Sequence, residues 1–227
     1  METFKKRYQT WTLQTSDDQL EKLALEEIFK KLRFEEEVNV LIFTSDSCDL
    51  AIKFAKMGAK ITLVTEPAKE KILRSLIAKE NLSEAFEFLT MKPQNNDNIS
   101  QFIHLVKHSN KTFDLVFIRH FICKMNYAQA GFFLEDILHC IKIGAKLYMT
   151  TYGIHSELSQ NYPHIELPVQ DRFCPIAPNI AKKYDIKEPI CLYSERDLIL
   201  LLIETGCSVL RSWISSYGNV QSVAVRI

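Results

Sequence analysis

Glycine is scarce in this sequence, which contains six glycines among 227 residues. Several well-known site motifs are built on closely spaced glycines, which permit tight turns and a close approach of the backbone to a ligand. The patterns GxGxxG, GxxxxGK[ST] and GxSxG are all missing. Their absence argues against a nicotinamide-type dinucleotide site, a P-loop nucleotide site and the nucleophile elbow of an α/β hydrolase.

Closely spaced cysteines are missing as well. The six cysteines are scattered along the chain without any CxxC pair. A zinc site built on thiolate pairs is therefore not expected, and we predict no metal. Several of the cysteines fall in predicted core elements, which indicates free, buried thiols in a reducing compartment.

The chain also lacks net charge and long apolar runs. Its 28 basic and 28 acidic residues balance, and no basic stripe is interleaved with aromatic residues, so we predict no nucleic-acid partner. The longest apolar run, Leu198–Ile203, is too short to span a bilayer, and the charged start METFKKR has no apolar signal core. We therefore expect no membrane association and a cytoplasmic location.

What the chain does contain is a strand–loop–helix–strand unit near its N-terminal end. Val38–Phe43 and Lys60–Thr65 are short apolar runs, typical of strands that are buried on both faces of a parallel sheet. The residues between them have the apolar spacing of a helix, with Asp49 as the predicted N-cap. In α/β proteins a ligand binds at the carboxyl edge of such strands. The loop Thr44–Cys48 and the acid Glu66 are therefore the predicted ligand-binding residues.

Strands and helices continue to alternate along the rest of the chain. One of the predicted helices begins at Asp97, and another is opened by the capping pair Ser194 and Asp197. A turn at Gly144 is predicted to lead into the fifth strand, and the last two strands form an antiparallel pair. This alternation predicts a doubly wound, mostly parallel sheet with right-handed crossovers. The further predicted strands are Ala85–Met91, Phe113–Ile118, Ala145–Thr151, Cys207–Ser215 and Val220–Ile227.

The composition suggests how the chain is divided. Residues 1–36 are predicted to form an N-terminal arm and a helix, and residues 37–227 the main domain. Within that domain, residues 153–191 contain five of the seven prolines. A segment of this length is too long for a simple connector, so we predict an insertion or lid over the edge of the sheet.

Three stretches of the second half resemble the class I S-adenosylmethionine-dependent methyltransferases. FDLVFI followed by a helix and ILHCIKIGAKLYMTT is similar to the family's fourth strand, fourth helix and fifth strand. SERDLILLLIETGCSVLRSWI is similar to the helix and glycine that lead into the family's sixth strand. The resemblance covers roughly residues 38–227 and implies a Rossmann-like, seven-stranded sheet with an antiparallel C-terminal hairpin.

The resemblance also implies S-adenosylmethionine as the cofactor and a methyltransferase activity on a small molecule. The glycines of the family's cofactor loop fall at Thr44, Asp46 and Cys48, whose side chains are expected to fill space that the cofactor occupies in a typical member. The family's ribose-binding acid falls at Thr65, and Glu66 follows it by one residue.

Residues for the methyl acceptor are expected at the ends of strands four and five and in the insertion. His120 directly follows FDLVFIR and is the predicted general base, and Arg119 beside it is predicted to bind an anionic substrate. Tyr152 and Arg172 are predicted substrate-binding residues. Each of these residues has an alternative, purely structural interpretation.

The sequence leaves two functions open. The first is methyl transfer to a small molecule, and the second is a non-catalytic binding or regulatory module that kept the fold and lost the cofactor. The partner is accordingly a small-molecule substrate or another protein, and a homo-oligomer is left open.

Overall fold

The computed structural model describes residues 18–35, 37–44, 47–91 and 111–227. Three predicted features lie outside the described residues. They are the N-terminal arm up to residue 17, Asp46, and the helix that was predicted to begin at Asp97.

Seven strands form one sheet, in the spatial order β3-β2-β1-β4-β5-β7-β6. Strands β1 to β5 are mutually parallel, whereas β7 is antiparallel to both β5 and β6. The predicted mostly parallel sheet with an antiparallel C-terminal hairpin is confirmed. The strands are β1 (Asn39–Phe43), β2 (Lys60–Thr65), β3 (Phe86–Thr90), β4 (Phe113–Arg119), β5 (Ile141–Thr151), β6 (Cys207–Ile214) and β7 (Val220–Arg226).

Helices cover both faces of the sheet, as a doubly wound fold requires. Apolar side chains of α1, α2 and α3 pack into one core cluster with the sheet, and those of α4, α5 and α6 pack into another. None of the described helices is long and apolar enough to cross a membrane. The helices are α1 (Asp18–Lys31), α2 (Asp49–Lys56), α3 (Pro67–Lys79), α4 (Tyr127–His139), α5 (Pro178–Tyr184) and α6 (Glu195–Glu204).

Strand β5 is longer than predicted. It begins at Ile141 rather than at Ala145, because the chain stays extended through an irregularity in its pairing with β4. The register of that pairing shifts between Phe113 and Leu115. Gly144 lies in this irregular part of β5 with a φ of +79°, a conformation that glycine adopts at no steric cost. The turn predicted at Gly144 is therefore a bulge within the strand.

Helix α1 is fixed to the sheet by apolar packing and by ion pairs near its two ends. Glu21 pairs with Arg119 of β4, and Glu27 pairs with Lys146 of β5 at 2.6 Å. Three further side chains of α1 are fully buried in the core that the helix shares with the sheet: Leu20, Ala24 and Ile28. The domain boundary near residue 36 stays a prediction.

The proline-rich segment 153–191, which contains α5, packs into one core cluster with α4 and α6. The Tyr162 hydroxyl donates a hydrogen bond to the carbonyl of Ile190, at 2.7 Å, and thereby ties the two ends of the segment together. Its function as a lid stays a prediction. Buried side chains of the segment include Leu158, Val169, Cys174, Ile176, Ile180 and Tyr184.

Candidate functional site

The carboxyl ends of β1, β2, β4 and β5 meet at one edge of the sheet because these strands are parallel. The residues that directly follow them are Thr44, Glu66, His120 and Tyr152. In open α/β sheets this edge is where ligands bind. The structure therefore places four of the predicted site residues at one edge, although they are far apart in the sequence.

Ser47, rather than Asp49, supplies the side-chain hydrogen bond to the backbone at the start of α2. Asp49 is the first residue of α2, and Cys48 at the N-cap position makes no side-chain capping bond. Instead, the Ser47 hydroxyl accepts a hydrogen bond from the Asp49 amide at 3.1 Å and donates one to the Asp49 carboxylate at 2.9 Å. The predicted N-cap at Asp49 is therefore wrong, because the helix begins at the residue that was expected to cap it.

The side chains of Thr44 and Cys48 are turned into the protein. Both are buried, at 3% and 2% exposure. The Thr44 hydroxyl donates to the carbonyl of Ser47 at 3.0 Å, and Cys48 packs in the core of α2. Burial raises the pKa of Cys48 to about 11, so its thiol is neutral at pH 7. That these two side chains fill space which a cofactor occupies in a typical methyltransferase stays a prediction.

Glu66 extends across the end of β1. It lies between β2 and α3 and is half-buried, and its Oε1 atom is 2.6 Å from the ammonium of Lys124. Lys124 ends the short 3₁₀ turn Ile122–Lys124 that follows β4. Because β1 lies between β2 and β4, the ion pair passes over the carboxyl end of β1, a span of about 10 Å between the two outer strands.

His120 is buried and stacked on Tyr152. The two ring centroids are 4.3 Å apart and the ring planes differ by 15°. The His120 amide donates to the Thr150 carbonyl at 2.8 Å, and the residue has a φ of +46°. Left-handed backbone is uncommon for a non-glycine residue, although histidine tolerates it better than most. The stacked pair is thereby held at the ends of two neighbouring strands.

Three phenylalanines support this edge from within the core. The ring of Phe43, at the end of β1, lies 5.1 Å from the rings of both Phe121 and Phe133. These centroid distances and the tilted or edge-to-face geometries are favourable for aromatic pairs. The ends of β1 and β4 and the helix α4 are therefore packed together at this edge of the sheet.

Arg119 is directed to the face of the sheet that α1 covers, whereas His120 stacks on Tyr152, which packs in the other core cluster. Its guanidinium pairs with Glu21 of α1 and lies 5.5 Å from the Phe117 ring. The two neighbouring residues do not converge on one site. Binding of an anionic substrate by Arg119 stays a prediction, and it would require the ion pair with Glu21 to open.

Arg172 is held by contacts within the insertion and with α6. Its guanidinium donates to the carbonyls of Leu167 at 2.7 Å and Leu192 at 3.3 Å, and it pairs with Asp197 of α6 at 2.6 Å. These contacts join the insertion to the N-terminal end of α6. Substrate binding by Arg172 stays a prediction.

Lys124 is the residue of this site that the sequence did not indicate. It is 58 residues from Glu66, and no motif or spacing connects the two. Only the order of the strands brings them together. The available signal was weak: a lone cation in the loop after β4, at the edge where a ligand was expected.

Several solved methyltransferase structures have the same fold. PigF, solved with SAH, has a TM-score of 0.54 at 10% sequence identity, and the match covers 89% of this chain and 61% of PigF. An O-methyltransferase family protein from Burkholderia thailandensis has a TM-score of 0.60 at 10% identity, with 91% of this chain and 56% of that protein covered. A SAM-dependent methyltransferase from Methanosarcina mazei has a TM-score of 0.57 at 14% identity, with 86% and 94% covered.

No family model and no curated protein matches the sequence. At these low identities the structural likeness shows the fold alone. The chain spans 61% of PigF and 56% of the Burkholderia protein. The fold that the resemblance implied, that of the class I S-adenosylmethionine-dependent methyltransferases, is confirmed.

Proposed function

We propose that this protein, which has the class I methyltransferase fold, transfers a methyl group from S-adenosylmethionine to a small molecule. One observation carries the proposal: Glu66 presents a half-buried carboxylate at the end of β2, directed across the end of β1. The two oxygens of a carboxylate can accept hydrogen bonds from two neighbouring hydroxyls. An acid at this position is suited to the ribose hydroxyls of a nucleoside cofactor.

The residues near Glu66 fit such a cofactor. We propose that the Thr44 and Cys48 side chains leave room for it at the end of β1, although neither residue is glycine, because the Thr44 hydroxyl bonds to the Ser47 carbonyl and Cys48 packs in the core. In this proposal Glu66 holds the ribose, and the backbone at Thr44 and Ser47 lies along the cofactor. When bound, S-adenosylmethionine would supply an electrophilic methyl group on its sulfonium centre.

His120 is the proposed general base for the methyl acceptor. A neutral imidazole can remove a proton from a hydroxyl or amine as the nucleophile forms. Stacking on Tyr152 and the amide contact to β5 fix the position of the ring. Tyr152 is proposed to line the acceptor site beside it.

One observation favours the second function, a non-catalytic binding module. His120 and Tyr152 are only 2% and 7% exposed, so little of either ring is accessible to a substrate among the described residues. In that case the fold would bind a small molecule or a protein partner without transferring a methyl group.

Calorimetric titration with S-adenosylmethionine and S-adenosylhomocysteine tests the proposal. We expect both ligands to bind the wild-type protein and the Glu66→Gln variant to bind them about 10- to 100-fold more weakly, because a charged hydrogen bond contributes about 1.5–3 kcal/mol. Glu70→Gln is the matched control, since Glu70 pairs with Arg74 within α3 and makes the same charge change. That variant should bind like the wild type.

Two results would contradict the proposal. The absence of binding up to about 1 mM ligand, equivalent to a free energy weaker than about −4 kcal/mol, would favour the non-catalytic module. Equal losses in Glu66→Gln and Glu70→Gln would show that the ribose is held elsewhere.

A further inference from the structure

Lys124 is placed to affect any ligand that binds at Glu66. Its ammonium lies 2.6 Å from Glu66 Oε1, and both side chains are largely enclosed, at 20% and 30% exposure. An ammonium has three donors and no acceptor. It therefore occupies, on this carboxylate, an acceptor position that a ligand hydroxyl would need.

The pair also changes the charge at the carboxyl end of β1. Glu66 alone would give the end of β1 a net negative charge, whereas Glu66 together with Lys124 gives no net charge. Interactions between charges in a partly enclosed site are screened less than on an open surface. The affinity for a charged ligand at this place therefore depends on whether the ion pair is formed.

We propose that Lys124 determines the charge preference of the cofactor site, because it neutralises Glu66 and competes with the ligand for its carboxylate. This inference rests on the proposed function. S-adenosylmethionine carries a net positive charge because of its sulfonium, whereas S-adenosylhomocysteine, a neutral thioether, has no net charge. A site neutralised by Lys124 attracts the sulfonium less strongly, and so it discriminates less between the methyl donor and the product.

Removing the ammonium should strengthen the binding of both ligands, and that of the cationic ligand more. In Lys124→Met the competition for Glu66 disappears for both ligands. The unpaired Glu66 carboxylate then also attracts the net positive charge of S-adenosylmethionine, which S-adenosylhomocysteine lacks. We expect the ratio of the two dissociation constants to shift by about three- to tenfold toward S-adenosylmethionine at low salt, and by less at about 0.5 M salt.

Calorimetry of the two ligands with four proteins tests this inference. Lys124→Arg keeps the charge and should retain the wild-type ratio. Lys79→Met removes the same charge from the far end of α3, in its last turn, and should also retain it. A shift in Lys124→Met alone supports the role of Lys124.

A second measurement uses the protein without ligand. If the ion pair forms as described, Glu66→Gln and Lys124→Met should be non-additive in urea unfolding, with a coupling of about two- to fivefold in the unfolding constant. Additive effects would overturn the proposal, since Lys124 would then not interact with Glu66.

The outcomes separate this inference from the proposed function. If the wild type binds both ligands and Lys124→Met leaves their ratio unchanged, the function stands and the inference is wrong. If none of the four proteins binds either ligand, the proposed function fails and the inference fails with it.

Discussion

Replacing Gly218 by alanine should lower the free energy of unfolding more than the same substitution at a glycine that has free space around it. Gly218 lies between β6 and β7 with a φ of +78°. A Cβ at this position would overlap the backbone of His155 and Ser156, and a backbone cannot move aside like the end of a flexible side chain. The left-handed conformation costs about 1–2 kcal/mol and the overpacking about 1–3 kcal/mol, which together give about 2–5 kcal/mol.

Gly144 provides the matched control for this substitution. Its φ is +79°, and no atom lies within 4 Å of an added Cβ. Gly144→Ala should therefore lose only the conformational part, about 1–2 kcal/mol. Urea unfolding followed by circular dichroism measures both variants, and the melting temperature should fall by about 2–4 °C per kcal/mol for a chain of this size. Equal losses for Gly218→Ala and Gly144→Ala would refute the steric argument.

The Gly218 contact matters for the site because of what it holds in place. A Cβ on Gly153 would overlap the carbonyl of Gly218, so the two glycines mark a point where two backbones touch. Gly153 directly follows Tyr152 in the sequence, and Tyr152 is stacked on His120. The β6–β7 turn thus fixes the chain immediately after the proposed acceptor site.

Two further predictions concern the core. Leu20→Ala should destabilise the protein by about 2–5 kcal/mol, since Leu20 of α1 is fully buried in the core shared with the sheet. Phe29→Ala, on the exposed side of α1, is the control and should cost no more than about 1 kcal/mol. Similar losses for the two variants in urea unfolding would mean that α1 is not part of that core. All six cysteines are buried, and burial raises the pKa of Cys48 to about 11 and that of Cys191 to about 12. An aromatic disulfide reagent at pH 8 should therefore modify no thiol of the native protein and all six thiols of the unfolded protein. Rapid modification of a native thiol would contradict the burial.

Much of the fold was predictable because its signals are local. Ser194 and Asp197 were predicted to open a helix, and the structure has both bonds of their capping box, at 2.8 and 3.1 Å. Pro67 begins α3, as its fixed φ favours. The buried runs of β1, β2 and β4 became central strands of the sheet, because an apolar run of that length must be covered on both faces.

The errors arose where local signals compete with the surrounding structure. Gly144 was predicted to be a turn, yet pairing with β4 keeps the chain extended through it as a bulge in β5. Asp49 and Ser47 are both good capping residues, and the sequence does not say which of them precedes the first helical turn. Such choices depend on neighbouring strands and on one-residue differences in where a helix begins.

The sequence by itself determined the order of strands and helices and the position of Glu66 at the carboxyl edge of the sheet, where a ligand is predicted to bind. Only the tertiary structure decided the directions and partners of the side chains: Thr44 and Cys48 turn inward, Arg119 pairs with Glu21 across 98 residues, and Glu66 pairs with Lys124 across 58. The physical reason is that strand order and register bring distant residues together. Periodicity and capping act over a few residues and carry no information about such distant pairs.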